Sequence, residues 1–315
     1  MGESELLLPL VDEENICLPL PVNVISRYWD IRLPMAEAEE TAKKYAGFGG
    51  SILIEGIESA ERHGLACKIA RSSLPELKEI IDSGIPPIVM LPGIPEITQH
   101  ASVITGYSDE ENTMLHYVQK GGRDGEQQEG AIPQDVFEKG WSEEANFIIV
   151  IAPPDALSSV RLAGSKSDRM CLEAERKAVL GDAQGALELL EQAASLDPKN
   201  PVTLNLLGGM LNKQGSPECV KYYERCIGAN PRSYLAHNGL GNFYLKTGKF
   251  GDAEKCYTRA IAINPKRSAK IYKNRAYLRE KRGGNSDAKK DLQSYLECFP
   301  RAPDRGVIEK AIREI

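Results

Sequence analysis

The stretch "GLGNFYLKTGKFGDAEKCYTRAIAINP", residues 239–265, places small and large side chains at helical spacings and ends on Pro265. Gly241 and Ala253 are small, whereas Tyr257 is large. A small residue on one helix lets a second helix approach closely, and a large residue opposite it fills the groove between them. The stretch therefore predicts two packed helices.

The same pattern occurs four times in the second half of the chain. The closing prolines are 33, 34 and 35 residues apart. A constant period of about this length is typical of stacked helix pairs that share a continuous core. The other three copies are carried by Ala174, Gly181, Ala186, Leu190, Ala193 and Pro198, by Gly208, Leu211, Gly215, Cys219, Tyr223, Cys226 and Pro231, and by Ala276, Gly283, Ala288, Leu292, Tyr295 and Pro300.

These spacings resemble the tetratricopeptide repeat (TPR) family. The resemblance implies an all-α solenoid of four repeats over residues 168–303, closed by a capping helix at 304–315. It also implies a binding scaffold whose concave face, built from the first helix of each pair, holds a peptide or another protein. No catalysis is expected from this half. Cys219 and Cys226 occupy positions where other copies carry alanine, so we interpret them as small packing residues.

Asparagines and basic residues supply the candidate binding site of the repeats. Asn242 and Asn274 stand where the TPR proteins that grip a C-terminal carboxylate keep their asparagines, whereas Asn238 takes the place of that site's first lysine. Several lysines and arginines follow in the fourth copy, which favours an acidic partner. The candidate partner-binding residues are Asn238, Asn242, Lys270, Lys273, Asn274, Arg275 and Arg279.

Charge divides the chain into two halves of opposite sign. The first 165 residues carry 27 acidic and 12 basic side chains, whereas the rest carries 18 acidic and 27 basic ones. Such an asymmetry indicates two domains with oppositely charged partners. It also allows copies of the chain to associate with one another, as a homo-oligomer or a filament. We expect protein partners and no nucleic acid.

The first half predicts helices followed by an antiparallel sheet. A helix is expected over Met35–Tyr45, a strand over Ala66–Ala70 and a capped helix from Ser73. The runs "PPIVML", "HASVITGY", "TMLHYV" and "NFIIVIAP" predict strands, the second and third of them joined across "SDEEN". This order is typical of an α+β domain, which we place at residues 1–155 and follow with a linker at 156–167.

Three segments carry a second resemblance: "ENICLPLPVNVISRYWDI" at 14–31, "HGLACKIARSSLPELKEIIDSGIPPIVML" at 63–91, and His100 opening "HASVITGY". Their order resembles the papain-like cysteine peptidases that process bacteriocins at double-glycine leaders. The resemblance implies that Cys17 is a nucleophile at a helix start and that His100 is its base. A helix N-terminus and a neighbouring imidazole both favour the thiolate.

The sequence departs from that family at the positions that stabilise the transition state. Leu18 follows the cysteine where the family has glycine, and no glutamine lies at residues 11–13 to bind the oxyanion. Tyr117 stands where an aspartate should orient the imidazole. We therefore expect a degenerate, pseudoenzyme site in a protein-binding scaffold. An active thiol peptidase with substrate-recruiting repeats, a self-assembling structural subunit, and Cys17 as a small core residue remain alternatives.

The two resemblances together imply a bacterial adaptor-type protein. The seven cysteines form no CxxC pair and no cluster with histidine, so neither a disulfide framework nor a zinc site is expected. We predict no cofactor and no metal. The apolar runs are shorter than a membrane helix needs, and the first residues lack the basic start of a secretory signal, so we expect a cytoplasmic location.

Overall fold

A computed structural model describes residues 2–9, 19–46, 48, 52–92, 99–118 and 128–315. The chain divides into two compact units. Unit 1 comprises Met1–Leu91 and Ala101–Pro198, and unit 2 comprises Pro92–His100 and Lys199–Ile315. The division after Pro198 differs from the predicted linker at 156–167, because the first predicted repeat packs within unit 1.

Unit 1 contains nearly all of a predominantly antiparallel sheet, of which Pro92, Gln99 and His100 fall in unit 2. Within the described residues its strands are β1 (Glu3–Glu5), β2 (Ala66–Arg71), β3 (Ile88–Pro92), β4 (Gln99–Ser108), β5 (Thr113–Val118), β6 (Gln128–Pro133) and β7 (Phe147–Ala152). They are ordered β2-β7-β3-β4-β5-β6, and β1 pairs with β4. The predicted hairpin is confirmed, since Tyr107 of β4 lies opposite Met114 of β5.

Two of the helices of unit 1, Met35–Lys44 and Leu74–Asp82, lie close to the predicted positions. They are α1 (Leu20–Tyr28), α2 (Met35–Lys44), α3 (Leu53–Arg62), α4 (Leu74–Asp82), α5 (Gln134–Glu143), α6 (Pro154–Ser159), α7 (Lys166–Val179) and α8 (Ala183–Leu196). The predicted capped helix is confirmed. Ser73 Oγ accepts a hydrogen bond from the Glu76 amide, and the Glu76 carboxylate accepts one from the Ser73 amide at 2.9 Å.

The core of unit 1 lies between the sheet and its helices. Every residue of β7 is buried, as its unbroken apolar sequence "FIIVIA" predicts for a central strand covered on both faces. Trp141 of α5 is fully buried, and its indole nitrogen donates to the Phe147 carbonyl oxygen at 2.9 Å. The large ring thus fills core volume while its one polar atom keeps a hydrogen bond.

The first predicted repeat, α7 and α8, is joined to the rest of unit 1 by charged pairs. Arg169 of α7 binds Glu61 of α3 with two hydrogen bonds, at 2.8 and 2.7 Å. Two turns further along the same face, Arg176 of α7 donates to Glu58 of α3 at 2.7 Å. Helix α3 therefore covers a side of α7 through hydrogen-bonded ion pairs.

Unit 2 is a succession of helix pairs, as the sequence period predicts. Its helices are α9 (Pro201–Lys213), α10 (Cys219–Ala229), α11 (Tyr234–Lys246), α12 (Phe250–Ile263), α13 (Ala269–Lys281), α14 (Asn285–Cys298) and α15 (Arg305–Glu314). A Cβ atom on Gly241 would lie 2.7 Å from the Tyr257 ring, so glycine is needed for this close approach. Cys219 and Cys226 are fully buried, which confirms their interpretation as packing residues.

The closing helix α15 covers the end of the last pair with a narrow apolar stripe. Ile308 is buried, and Ala311 and Ile312 pack beside it against a cluster that includes Tyr295. Val307, which the sequence places on the same face, is 71% exposed. Because neighbouring helical residues point about 100° apart, a stripe centred on Ile308 leaves Val307 at its margin.

Candidate functional site

The peptidase-like residues of the first half are only partly described. Cys17 lies outside the described residues, so its pairing with His100 stays a prediction. His100 is the second residue of β4 and much of its surface is exposed. Desolvation by the surrounding atoms nevertheless lowers the pKa of His100, which favours its neutral imidazole near pH 7. A neutral imidazole is the form that can accept a proton.

The third predicted residue, Tyr117, is next to a histidine whose ring contacts β4. Side chains alternate along a strand, so Tyr117 and His116 lie on opposite faces of β5. His116 Nδ1 is 3.0 Å from Ser102 Oγ, and Ser102 is 2% exposed. Ser102 and His100 are two residues apart on β4 and share a face. The sequence reasoning missed the pair of Ser102 and His116. The alternation of side chains along a strand could have indicated it, because it places Ser102 on the same face of β4 as His100.

Three predicted asparagines meet on neighbouring first helices of unit 2. Asn238 and Asn242 belong to α11, and Asn274 belongs to α13. Asn242 Nδ2 donates to Asn238 Oδ1 at 3.2 Å, and Asn274 Nδ2 is 3.4 Å from Asn242 Oδ1. We call Asn238, Asn242 and Asn274 the amide cluster. The structure thus brings Asn274 to two asparagines that lie 32 or more residues earlier in the sequence.

Tyr257 of α12 holds the amide cluster in place. Its hydroxyl donates to Asn242 Oδ1 at 2.7 Å and lies 3.4 Å from Asn274 Nδ2. Burial raises the pKa of Tyr257 to about 12, so the phenol remains a hydrogen-bond donor at physiological pH. The Asn242 oxygen is therefore bound from within, which orients its amide group.

Most of the predicted basic residues of α13 are bound to carboxylates inside unit 2. Arg275 is 8% exposed and donates to both carboxylate oxygens of Asp291, at 2.9 and 2.7 Å. Arg279 donates to Asp291 at 3.0 Å and to Glu254 at 2.9 Å. These two arginines hold helices together instead of forming an open basic surface. The sequence alone could not distinguish such paired arginines from exposed ones.

The two predicted lysines of α13 differ from each other. Lys273 donates to Asp304 at 2.6 Å and lies over the Tyr295 ring at 5.5 Å. Lys270 is exposed. Of the predicted basic residues, Lys270 is therefore the one best placed to meet a partner.

An exposed aromatic ring, missed by the sequence reasoning, lies in line with Lys270. Tyr277 is 47% exposed, and the Lys281 ammonium lies 5.6 Å from its ring centroid. Spacings of seven and four residues place Lys270, Tyr277 and Lys281 within about 20° of one line along a helix. We call these three residues the basic row. Asn274 lies between them in sequence and connects the row to the amide cluster.

Two further kinds of site were searched for within the described part of the chain. No cluster of three or more histidine, cysteine, aspartate or glutamate side chains could hold a metal ion there. No helix in those residues has the length and apolar character needed to cross a membrane.

Comparison with known proteins identifies the repeats. Residues 234–267 match the family model of the tetratricopeptide repeat. Among curated proteins, Hsp70-Hsp90 organizing protein 2 of Arabidopsis thaliana is 33% identical over 109 residues, which are 35% of this chain and 18% of that protein. General transcriptional corepressor ssn6 of Schizosaccharomyces pombe is 24% identical over 157 residues, which are 49% of this chain and 14% of that protein. The chain spans less than a fifth of these relatives.

Solved structures with similar helices include a crystal structure of MamA and one of YrrB. MamA is 22% identical, covers 45% of this chain and 86% of its own, and gives a TM-score of 0.40. YrrB, described as a TPR protein with an unusual peptide-binding site, is 16% identical, covers 48% of this chain and 76% of its own, and gives a TM-score of 0.40.

Proposed function

We propose that the protein is an interaction scaffold whose repeats bind an extended, acidic segment of a partner protein. The observation that carries this proposal is the amide cluster, which lies on two successive first helices of a tetratricopeptide array. In that architecture the first helices line the concave face. The curated relatives, among them an Hsp70-Hsp90 organizing protein by name, support a protein-binding role for such repeats.

The chemistry of the amide cluster suits the backbone of a peptide. A side-chain amide offers two N–H donors and an acceptor, which match the carbonyl and amide groups of an extended chain. Asn242 uses one N–H to reach Asn238 and keeps the other for a ligand. Because Tyr257 fixes the Asn242 oxygen, little side-chain entropy is lost when the ligand binds.

The basic row supplies the preference for acidic ligands. Lys270 and Lys281 are exposed on the same line of α13 that carries Tyr277. Exposed lysines attract carboxylates and speed encounter more than they add affinity. Asn238 stands where the carboxylate-gripping TPR proteins have a lysine, so we propose recognition of main chain and acidic side chains rather than of a free C-terminus.

A labelled hexaglutamate peptide tests this function on the full chain. By fluorescence anisotropy, Asn242→Ala and Lys270→Glu should each raise its Kd by about tenfold, which is 1.4 kcal/mol of binding free energy. Asn285→Ala and Lys221→Glu alter exposed residues elsewhere in unit 2 and should leave the Kd unchanged. Absence of peptide binding, or equal Kd values for all four variants, would refute the proposal.

For the first half we propose a papain-like domain with a degenerate site. The sequence offers no glutamine for the oxyanion, and losing one such donor costs roughly 3 to 4 kcal/mol of transition-state stabilisation. The third position is occupied by Tyr117 rather than by an acid that would orient His100. An active thiol peptidase is the alternative, since the lowered pKa of His100 keeps a base available.

Thiol reactivity decides between the two interpretations of Cys17. Iodoacetamide should label Cys17 at neutral pH no faster than a free exposed cysteine, because the sequence offers no acid to orient the His100 imidazole that would stabilise its thiolate. Cys67 is a suitable internal comparison, since desolvation raises its pKa to about 12 and slows its labelling. Rapid labelling that disappears in Cys17→Ala, together with peptide cleavage lost in the same variant, would establish the active alternative.

A further inference from the structure

The N-terminal strand of unit 1 presents acidic side chains and a leucine to solvent. Glu3 and Glu5 are exposed, and Leu7, two residues further along the extended chain, is 83% exposed. Side chains alternate along a strand, and the intervening Leu6 packs against the core. We call Glu3, Glu5 and Leu7 the acidic strand face.

Neighbouring residues fix this strand and add to its negative charge. The Gly2 amide donates to Asp109 at 2.9 Å, and the Asp109 amide donates to the Gly2 carbonyl oxygen at 3.0 Å. The turn after Asp109 exposes Glu110 and Glu111. The acidic strand face is therefore an ordered, extended segment within a cluster of carboxylates.

The acidic strand face and the basic row are complementary in charge and in pattern. Each surface has one exposed apolar or aromatic side chain, Leu7 or Tyr277, accompanied by charges of one sign. A single exposed leucine is ordinary on a protein surface. Here, however, the leucine could pack on the tyrosine ring while the neighbouring carboxylates meet lysine ammonium groups. The complementarity joins Leu7 to Tyr277 and the two glutamates to Lys270, whereas Lys281 lies beyond this match on the other side of Tyr277.

The spacings of the two surfaces also agree. With Leu7 placed on Tyr277, Glu5 and Glu3 lie about 7 and 13 Å along the strand. Lys270 lies about 10 Å from Tyr277 along the helix axis, between those two distances. A strand laid along α13 therefore brings two carboxylates to one ammonium group.

From this match we infer that the acidic strand face of one copy of the protein docks on the basic row of a second copy. The inference rests on the proposed function, because it names a second copy as an acidic partner of the repeats. The strand is already extended and paired with β4, so docking requires little ordering of the chain.

The contact joins two different surfaces, so every copy has one of each. A single contact of this kind leaves one surface unused on each of the two copies. The unused surfaces either close a ring, of which a reciprocal pair is the smallest, or extend the contact into a chain of copies. The parent chain should therefore associate as the concentration rises.

Light scattering of the full chain at about 50 mM salt tests this contact, because exposed charges are weakly screened there. The variant Glu3→Lys with Glu5→Lys lacks the strand face, and Lys270→Glu with Lys281→Glu lacks the row. Each variant alone should associate at least about tenfold more weakly than the parent chain. Mixed together, the two should regain association, since the intact strand face of one variant meets the intact row of the other and the two reversed surfaces are again opposite in charge.

Matched controls carry the same charge changes elsewhere. Glu39→Lys with Glu40→Lys alters exposed residues of α2, and Lys221→Glu with Lys266→Glu alters exposed lysines of unit 2. Both should associate as the parent chain does. Equal weakening by the controls would show a general charge effect and would overturn the specific contact.

Hexaglutamate binding separates failure of this inference from failure of the proposed function. A parent chain that stays monomeric at every concentration but binds the peptide would overturn self-docking and leave the scaffold function standing. A chain that neither associates nor binds the peptide would overturn both. Association that persists unchanged in the row variant would overturn the assignment to α13.

Discussion

The two units contain arginine–carboxylate pairs of the same chemistry but different burial. In unit 1 the side chains of Arg169 and Glu61 are each 30% exposed. In unit 2 the side chains of Arg275 and Asp291 are 10% and 4% exposed. Exposed pairs gain little because water competes for both charges, whereas a buried arginine depends on its carboxylate to offset lost hydration.

This difference decides which charges are available to a partner. Arg275 adds one positive charge to any count made from the sequence, yet Asp291 neutralises it inside the helix pair. Lys270 adds the same charge and is exposed. Net charge therefore overstates the basic surface of unit 2, and burial has to be known residue by residue before a binding face can be assigned.

Removal of the buried carboxylate should have the largest effect. Asp291→Ala leaves the Arg275 guanidinium buried without its partner and takes one carboxylate from Arg279. We expect the free energy of unfolding to fall by about 3 to 5 kcal/mol, the usual result of breaking a buried pair on one side. Urea denaturation of the full chain measures this loss.

Asp287→Ala is the matched control for this prediction, because Asp287 lies one turn earlier on α14. Its side chain is 59% exposed and pairs with Lys290 at 3.2 Å. Its removal should cost less than about 1 kcal/mol. Similar losses for Asp287→Ala and Asp291→Ala would show that burial does not distinguish these pairs.

Removal of the half-exposed carboxylate in unit 1 should have a smaller and salt-dependent effect. Glu61→Ala ends both hydrogen bonds from Arg169. We expect the free energy of unfolding to fall by about 1 to 2 kcal/mol at low salt. This loss is larger than that of a usual exposed ion pair because the geometry is bidentate. The loss should shrink between roughly 50 and 500 mM salt, as the Debye length falls.

The salt series compares the units directly. The cost of Asp291→Ala should change little with salt, because its ion pair is shielded from solvent ions. Glu40→Ala, at an exposed position of α2, serves as the baseline for unit 1. A Glu61→Ala effect that is independent of salt would mean that the α3 contact is as buried as the pair in unit 2.

The repeat fold could be predicted from sequence because its signals are local and recur. Gly241 and Tyr257 specify one close helix contact, and the period repeats it along the chain. The asparagines of the amide cluster could be chosen in the same way, from their positions in the repeat. Tyr277 was missed because its exposure depends on which face of α13 its neighbours cover, and no local pattern records that.

The first half was predicted less completely because its contacts join distant strands. The pairing of β4 with β5 shifts between Ile104 and Gly106, and such an irregularity changes which residues lie opposite each other. Ile104 lies opposite His116, on the part of β4 that carries Ser102. The family resemblance pointed to Tyr117 on this strand, and a resemblance in sequence order contains no strand register.

A third carboxylate, which belongs to unit 1, has a side-chain exposure between those of Glu61 and Asp291. Glu37 of α2 is 27% exposed and joins α2 to the end of α3. It accepts a hydrogen bond from Ser59 Oγ at 2.6 Å and one from Arg62 at 2.7 Å, and lies 2.9 Å from His63 Nε2. These hydrogen bonds, with Ser59 first, lower the pKa of Glu37 from 4.5 to about 2.

The lowered pKa of Glu37 predicts the smallest of these effects on the free energy of unfolding. The effect can be recognised because it depends on pH. Because the pKa of Glu37 is lower in the folded state than in the unfolded chain, its stabilisation is complete above about pH 5.5 and is lost as the pH falls through 4.5 towards 2. Solvent screening reduces the contribution to about 1 kcal/mol. Glu37→Gln should therefore have a lower free energy of unfolding than the parent chain at pH 7, and this gap between the two free energies should narrow as the pH approaches 3. Glu40→Gln should have the free energy of unfolding of the parent at every pH. A gap of constant size from pH 7 to pH 3 would assign the contribution of Glu37 to packing instead of charge.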